Sequence, residues 1–525
     1  MKRIFVLMSL LVSVSAGAQG AYFHKVYCAE PLPKYEESKA LLPKVILDGN
    51  RELVELYEQT WKMVFNKLMS PPAGSPFVSN WIDDGLSPQI FQWDTNFAIM
   101  FGRYANHIFP FIESHDNFYI SQHPDGMICR VINENDGTDH YWGLGVENAR
   151  AINPPLYSWV EWENYLVTGD KSRFEKIIPV LEKYGEYIEN HRRGNDTPHR
   201  LYWNNGQASG MDNTPRDIGR PEPGDGWDCH SAIDHVGWVD MSCQMVMHYR
   251  YLSYICQEAG YAEKTAVYGR KADEIAKLIN EWMWDADKGL YFDVDTQGRK
   301  TRWVTVATFW PMLAGVSDAA QSRRLVENML NPELFWRPVP LPTLAYNQEL
   351  YNPTGCYWRG GVWAPTNYMA TQALSRNGYE KEATELASKY LDAILEVYKK
   401  TGTIWECYSP EAYLPSTNAS GVHMCMRDFT GWTALGPISM LIENIIGIRA
   451  DADSGKIVWN ITQNCRHGIE GYRFNGLNVS LTAAPTTDRG FIVSVRSDGD
   501  LSLELRYGND IKYVDVKEGN TEITL

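Results

Sequence analysis

Little in this chain is built to meet a polyanion. Lys and Arg total 49 against 65 Asp and Glu, which leaves a net charge of −16. No basic patch offsets that excess, so nucleic acid and anionic membrane surfaces are poor partners, and a neutral or cationic one fits better. Beyond the N-terminus no stretch reaches about 18 consecutive apolar residues, so no membrane-spanning helix and no membrane insertion are expected. There is no Gly-rich phosphate loop and no dinucleotide fingerprint. The nine cysteines (28, 129, 229, 243, 256, 356, 407, 425 and 465) show no C-x-x-C spacing, and their odd number leaves at least one unpaired. A disulfide framework is not expected in a chain this long, although one or two bridges are compatible with the count. No repeat of fixed period is visible, which argues against an open helical solenoid.

What the chain does hold is length, helical patterning and aromatic rings. Its 525 residues can bury a large core, and a 44% hydrophobic, 22% charged composition is that of a globular protein. The start, Met1-Lys2-Arg3 followed by an apolar run from Ile4 to Val14 and small residues to Ala18, reads as a secretory signal peptide. Cleavage near Ala18 and a periplasmic or secreted location are expected. Among 19 Trp, 30 Tyr and 17 Phe, many rings stand beside Gly, Pro, Asp and Asn, as at Trp81, Trp93, Trp142, Trp203, Trp227, Trp358 and Trp363. Flat rings next to hydrogen-bonding groups suit a sugar cleft, because a pyranose offers an apolar face and a polar edge. Packing into a core is the competing use.

Between residues 51 and 447 the apolar spacing is helical, as in Leu53, Tyr57, Trp61, Val64 and Leu68, or Phe174, Ile177, Leu181, Tyr184 and Ile188. Leu386, Tyr390, Ile394 and Val397 continue the pattern. Further helices are expected over 94–107, 149–168, 235–259, 262–283, 318–330, 361–376 and 428–446, with short ones near 304–314 and 340–350. Long loops over 70–92, 108–147, 193–234, 331–360 and 401–427 separate them, and loops of this length are expected to carry function. After about residue 450 the pattern alternates, as in Phe491–Val495 and Leu501–Leu505, with turns at Asp498-Gly499-Asp500 and Gly508-Asn509-Asp510. The expected organisation is a signal peptide (1–18), an N-terminal extension (19–50), a mainly α body of paired helices in a closed double ring (51–447), and a small antiparallel β-domain (448–525).

Chemistry concentrates in two segments. Ser209-Gly210-Met211-Asp212-Asn213-Thr214-Pro215-Arg216 and Trp405-Glu406-Cys407-Tyr408 each set one carboxylate among small, aromatic and turn-forming residues, unlike a solvated helix face. Two carboxylates held apart across a cavity are what glycosidic cleavage needs: one protonates the departing oxygen and the other takes a proton from water. Asp212 has an Asx-turn as its alternative use, and Asp217 and Asp225 lie close by. Arg216 is placed to hydrogen-bond a hydroxyl or a carboxylate. In Gln92-Trp93-Asp94-Thr95-Asn96-Phe97, Asp94 is either a helix N-cap or an acceptor for two sugar hydroxyls beside Trp93. Trp358-Arg359-Gly360-Gly361-Val362-Trp363 combines ring platforms with a hydrogen-bonding fork. Asp228, His230 and His235 match no strong zinc spacing, and no metal ligand or cofactor is assigned. A structural calcium ion at Asn135, Asp136 and Asp139 is the weaker alternative. Cys407 has no His in its motif and reads as a bystander thiol.

Six segments in order carry a family resemblance: Phe91-Gln92-Trp93-Asp94 to Phe97, Gln122-His123-Pro124-Asp125-Gly126-Met127-Ile128, Asn153-Pro154-Pro155-Leu156, Ser209 to Arg216, Tyr357 to Trp363, and Trp405 to Tyr408. Together they resemble the inverting α-glucosidases of glycoside hydrolase family 63 and the related trehalases of family 37. The resemblance implies an (α/α)6 barrel, Asp212 as general acid and Glu406 as general base. It also implies a sugar subsite formed by Trp93, Asp94, Asn153, Arg216, Trp358, Arg359 and Trp363. In trehalases a Gln precedes the proline pair, where this chain has Asn153, and the acid motif usually reads Trp-Asp-Phe, where this chain has Met211-Asp212-Asn213. Both departures point to an α-linked glucoside other than trehalose. The expected partner is an oligosaccharide substrate, with no obligate protein partner. A sugar isomerase or lyase on the same barrel would need His or Tyr as central proton carriers. A glycan-binding protein without turnover is the third reading.

Overall fold

The computed structural model describes residues 18–86, 88–139, 151–216, 236–418, 420–487 and 490–525. Residues 1–17 of the signal-peptide segment, Trp142, Trp227, Asp217, Asp225, Asp228, His230 and His235 lie outside the described residues. The molecule is mainly helical with a C-terminal β region.

Two kinds of helix are present, and their sequences explain the difference. In Gln92–Gly102 and Gly436–Ile446 every residue is buried, and Ala364–Arg376 is buried from Ala364 to Leu374. Tyr157–Thr168 and Val239–Glu258 are enclosed nearly as fully. Helices without a solvated face belong inside a body. Arg51–Phe65, Phe174–His191, Ala262–Trp282 and Glu380–Thr401 instead bury one stripe each and lie outside. The inner helices touch in chain order: Gln92–Gly102 meets Tyr157–Thr168, which meets Val239–Glu258, then Trp310–Leu313, then Ala364–Arg376, then Thr433–Ile446. The last touches Gln92–Gly102 again, so the succession returns to its start. Ala262–Trp282 and Glu380–Thr401 each pack back on the inner helix preceding them.

Several boundaries differ from the sequence reading. The helix expected from 149 begins at Tyr157, because Pro154 and Pro155 cannot continue the backbone hydrogen-bond ladder. No helix forms at 340–350; Leu344 instead bridges Thr305, and Leu341 takes a left-handed φ of 63°. Within the loop expected over 108–147, Phe111–Glu113 and Ser114–Ile120 are helical. That segment escapes a periodicity search because it buries polar groups: the Asn117 side chain accepts from the amides of Val78 and Ser79, and Asp116 pairs with Arg173 and Lys25. The last inner helix, Gly436–Ile446, is π-helical.

The β region is two sheets. Ile448–Asp451, Lys456–Asn460, Leu501–Tyr507 and Asp510–Val516 form one, in which Lys456–Asn460 and Leu501–Tyr507 run parallel. The other runs Gly519–Thr524, Phe491–Ser497, Leu477–Pro485, His467–Phe474, and closes on Lys44–Leu47. The N-terminal extension therefore supplies an edge strand to the C-terminal sheet, with His467 paired to Leu47. Trp459 against His467 and Phe491 against Tyr507 join the sheets by edge-on ring contacts. The amides of Ala452 and Asn475 donate to the carbonyls of Leu166 and Val167, which seats the sheets on the Tyr157–Thr168 helix. Among the described residues no helix is long and apolar enough to cross a membrane.

Candidate active site

The candidate residues lie in the first turn of Gln92–Gly102 and in the segments that precede the other inner helices. Asp94 lies in the first turn of Gln92–Gly102, not at its N-cap, which is Phe91. The helix start is tied down from several directions. The Trp93 amide donates to the Asn153 side-chain oxygen at 3.3 Å, and Asn153 Nδ2 donates to the Ala208 carbonyl at 2.8 Å. Asn153 thus joins the Asp94 helix to the segment leading into Asp212. Gly210 takes a left-handed φ of 78° there, and a Cβ on it would come within 2.6 Å of the Trp93 ring. Only glycine satisfies both conditions, which is why it precedes Met211-Asp212.

The Asp212 loop is also fastened to the 356–363 segment. The Trp358 amide donates to Asn213 Oδ1 at 2.7 Å, and Asn213 Nδ2 donates to the Cys356 carbonyl at 3.1 Å. Arg359 Nε reaches the Asn213 carbonyl at 3.5 Å. Two consecutive left-handed residues, Cys356 and Tyr357, turn the chain so that the Tyr357 hydroxyl donates to Glu406 Oε1 at 3.0 Å. The other Glu406 oxygen accepts from the Met426 amide at 2.8 Å, and Trp432 Nε1 donates to the Glu406 carbonyl at 2.9 Å. Strained backbone of this kind persists only where its surroundings hold it.

The carboxylates act on one another's charge. Burial raises Glu406 to about 7 and nearby Asp212 pushes the same way, opposed by the Met426 amide and the Tyr357 hydroxyl. Asp212 is half-buried and raised to about 6, chiefly by desolvation, with Arg130 opposing. Asp94 is raised well above the carboxylate range by burial, and then by the charges of Asp84, Glu406 and Asp212. One of its oxygens has no hydrogen-bond partner among the described residues. Asp84, fully buried and accepting from the amides of Leu86 and Phe91, is raised by burial and by Asp83. Sequence reading missed Asp84; its only signal was the Asp83-Asp84-Gly85 turn.

Other expected sugar contacts are differently engaged. Trp358 and Trp363 stack on each other, with centroids 4.0 Å apart and planes at 7°, and are 1% and 0% exposed. Trp81 is equally enclosed, and Trp203 lies under the Arg192 guanidinium. These loop tryptophans are core material. Arg216 is 3% exposed and bound to Asp240 and Asp293, with its guanidinium 4.0 Å over the Trp238 ring. It meets carboxylates of its own chain. Asp139 accepts from His123 at 2.8 Å, and Asp136 holds the Thr138 amide. Among the described residues no three His, Cys, Asp or Glu side chains are grouped to hold a metal ion.

The glycoside hydrolase domain model described as mannosylglycerate hydrolase MGH1-like matches residues 87–418, a span from the Asp94 helix to beyond Glu406. This chain belongs to that glycoside hydrolase family. Family membership sets aside the isomerase and binding-only readings: the protein is a glycoside hydrolase. An uncharacterised protein of Borreliella burgdorferi is 24% identical over 79% of this hydrolase and 85% of its own length. A probable mannosyl-oligosaccharide glucosidase of Schizosaccharomyces pombe is 24% identical over 57% of the chain, which spans only 35% of that longer protein. Among solved structures, the family 63 mannosylglycerate hydrolase of Thermus thermophilus in complex with glucose superposes with a TM-score of 0.56 at 19% identity, covering 73% of this chain and 99% of that one. The neutral trehalase of Saccharomyces cerevisiae follows at 0.53 and 14% identity, over 69% and 73%. Those last two likenesses are likenesses of fold.

Proposed function

We propose that this hydrolase cleaves a short α-linked glucoside by single displacement with inversion, Asp212 protonating the leaving oxygen and Glu406 activating water. The observation that carries the reading is the convergence of Asp94, Asp212 and Glu406. They come from three distant segments, yet each is buried or half-buried and within electrostatic reach of another. Two carboxyls raised into this range, Asp212 to about 6 and Glu406 to about 7, can hold one proton between them near neutrality, and the one steadied by two hydrogen bonds orients water. Asp94, with an oxygen unsatisfied, is the acceptor for glycone hydroxyls. Trp93, Asn153 and Arg359 line or support that subsite, and Arg216, Trp358 and Trp363 hold the loops that bear it.

The cyclic succession of inner helices supports an (α/α)6 barrel with the carboxylates at one mouth. Export through the N-terminal signal, with cleavage near Ala18, belongs to the same reading. So does an oligosaccharide partner, with no cofactor required. The family description favours a second substrate, an α-mannoside of a small acid such as mannosylglycerate.

One experiment tests acid, base and substrate together. Wild type, Asp212→Asn and Glu406→Gln are incubated with α-linked glucose disaccharides and mannosylglycerate, and the first-released anomer is followed by NMR. The expected result is β-anomer release by wild type and a fall in kcat of about 10³-fold or more in each variant, in line with loss of general acid–base assistance. Initial release of α-anomer, or full activity in either variant, would overturn the assignment.

A further inference from the structure

Behind Glu406 lie two thiols that the hydrolytic reading does not use. Trp405 and Arg427 form an antiparallel bridge, and the Glu406 amide donates to the Met426 carbonyl at 2.9 Å. One step further along the same register sets Cys407 opposite Cys425. The two thiols lie close enough to act on each other, both are free, and Cys425 Sγ reaches the Ser416 carbonyl at 3.3 Å. Directly opposed residues of an antiparallel pair have Cα atoms about 4.5–5.5 Å apart, inside the roughly 4.4–6.8 Å that a disulfide spans. Cys425 is partly exposed and Cys407 is fully buried, so one sulfur meets solvent and the other does not.

We infer that Cys407 and Cys425 are an oxidisable pair, closed by exchange with a low-molecular-weight disulfide into a cross-strand bridge that clamps the backbone on both sides of Glu406. The Cys425 thiolate attacks the small disulfide, forming a mixed disulfide and releasing one small thiolate. The Cys407 thiolate then attacks the Cys425 sulfur, forming the bridge and releasing the second. Two protein thiols are oxidised, one small disulfide is reduced to two thiols, and the two protein protons end on those thiols. Burial holds the Cys407 thiol well above its usual range, so the second exchange is the slow one. Closure would fix the Met426 amide against Glu406 and tie down the exposed 420–428 segment, which carries Val422 and Met426. Only that consequence for the base rests on the proposed function; the bridge itself does not.

The test uses the full-length enzyme, equilibrated with oxidised glutathione or with dithiothreitol, alkylated with N-ethylmaleimide, digested and mapped by mass spectrometry. The expected result is a peptide joining Cys407 to Cys425, lighter by two hydrogens and abolished by dithiothreitol, with a melting temperature several degrees above the reduced enzyme. Cys425→Ser should abolish both. Recovery of Cys407 and Cys425 as separately capped thiols, after exposed Cys28 has reacted fully with glutathione, would overturn the inference. Mapping reads sulfur alone, so its outcome is independent of whether Asp212 and Glu406 prove to be acid and base.

Discussion

Asp212 at about 6 and Glu406 at about 7 stand in an unusual order for their proposed roles, the acid below the base. The productive form, with the proton on Asp212 and not on Glu406, is then the minor of the two singly protonated forms. One unit of separation makes it roughly a tenth of the singly protonated protein. The pH profile of kcat/KM should therefore be a narrow bell with limbs near 6 and 7, and a broad plateau above about pH 8 would contradict it. Stability follows the same protons. Both folded values exceed the ordinary 3.8 and 4.5, so the native state binds these protons more tightly than the unfolded chain. Their contribution is full below about pH 4 and lost as pH rises through about 6 to 7. Asp212→Asn and Glu406→Gln should thus melt above wild type near pH 8 and lose that advantage near pH 4, by calorimetry. The gain for Glu406 is on the order of 3 kcal/mol. Arg216 behaves oppositely, since Arg216→Met strands the Asp240 and Asp293 carboxylates in the interior. A loss of about 3–5 kcal/mol in denaturant unfolding is expected.

At the scale of elements, the site is held by loops stitched to one another, and the stitches predict which distant changes reach the chemistry. Gly210→Ala adds a methyl that meets the Trp93 ring and forces a left-handed φ on a residue that disfavours it. The outcome is displacement of Asp212, with kcat lowered at least about tenfold; an unchanged kcat would show that Trp93 yields instead. Asn213→Ala removes both bonds to the Cys356–Trp358 turn. It should lower kcat more than it raises KM, because it loosens the acid's loop without touching a sugar contact. The helices that frame these loops were readable from the 3.6-residue period. The loops were not, because their order comes from polar groups that close bonds across more than a hundred residues.

For the whole molecule, the least expected feature is where the chain begins to matter. Lys44–Leu47 reads as part of an extension, yet it completes the sheet made by the last sixty residues. Removing residues 19–50 should expose the His467–Phe474 edge and lower the melting temperature by several degrees, with aggregation on heating. If the shortened enzyme melts like the longer one, the strand is dispensable.

Period and composition were enough for the helical body and the change to strands near residue 450, because these depend on residue types at short spacing, and the same short-range patterns marked the segments of Asp94, Asp212 and Glu406 as candidates. Tertiary structure alone decided which tryptophans are packing, that Arg216 is bound to Asp240 and Asp293, that Asp84 joins the acidic group, and that Cys407 faces Cys425. Each depends on which distant segment arrives alongside, and burial, charge coupling and cross-strand register arise only once the chain has closed on itself.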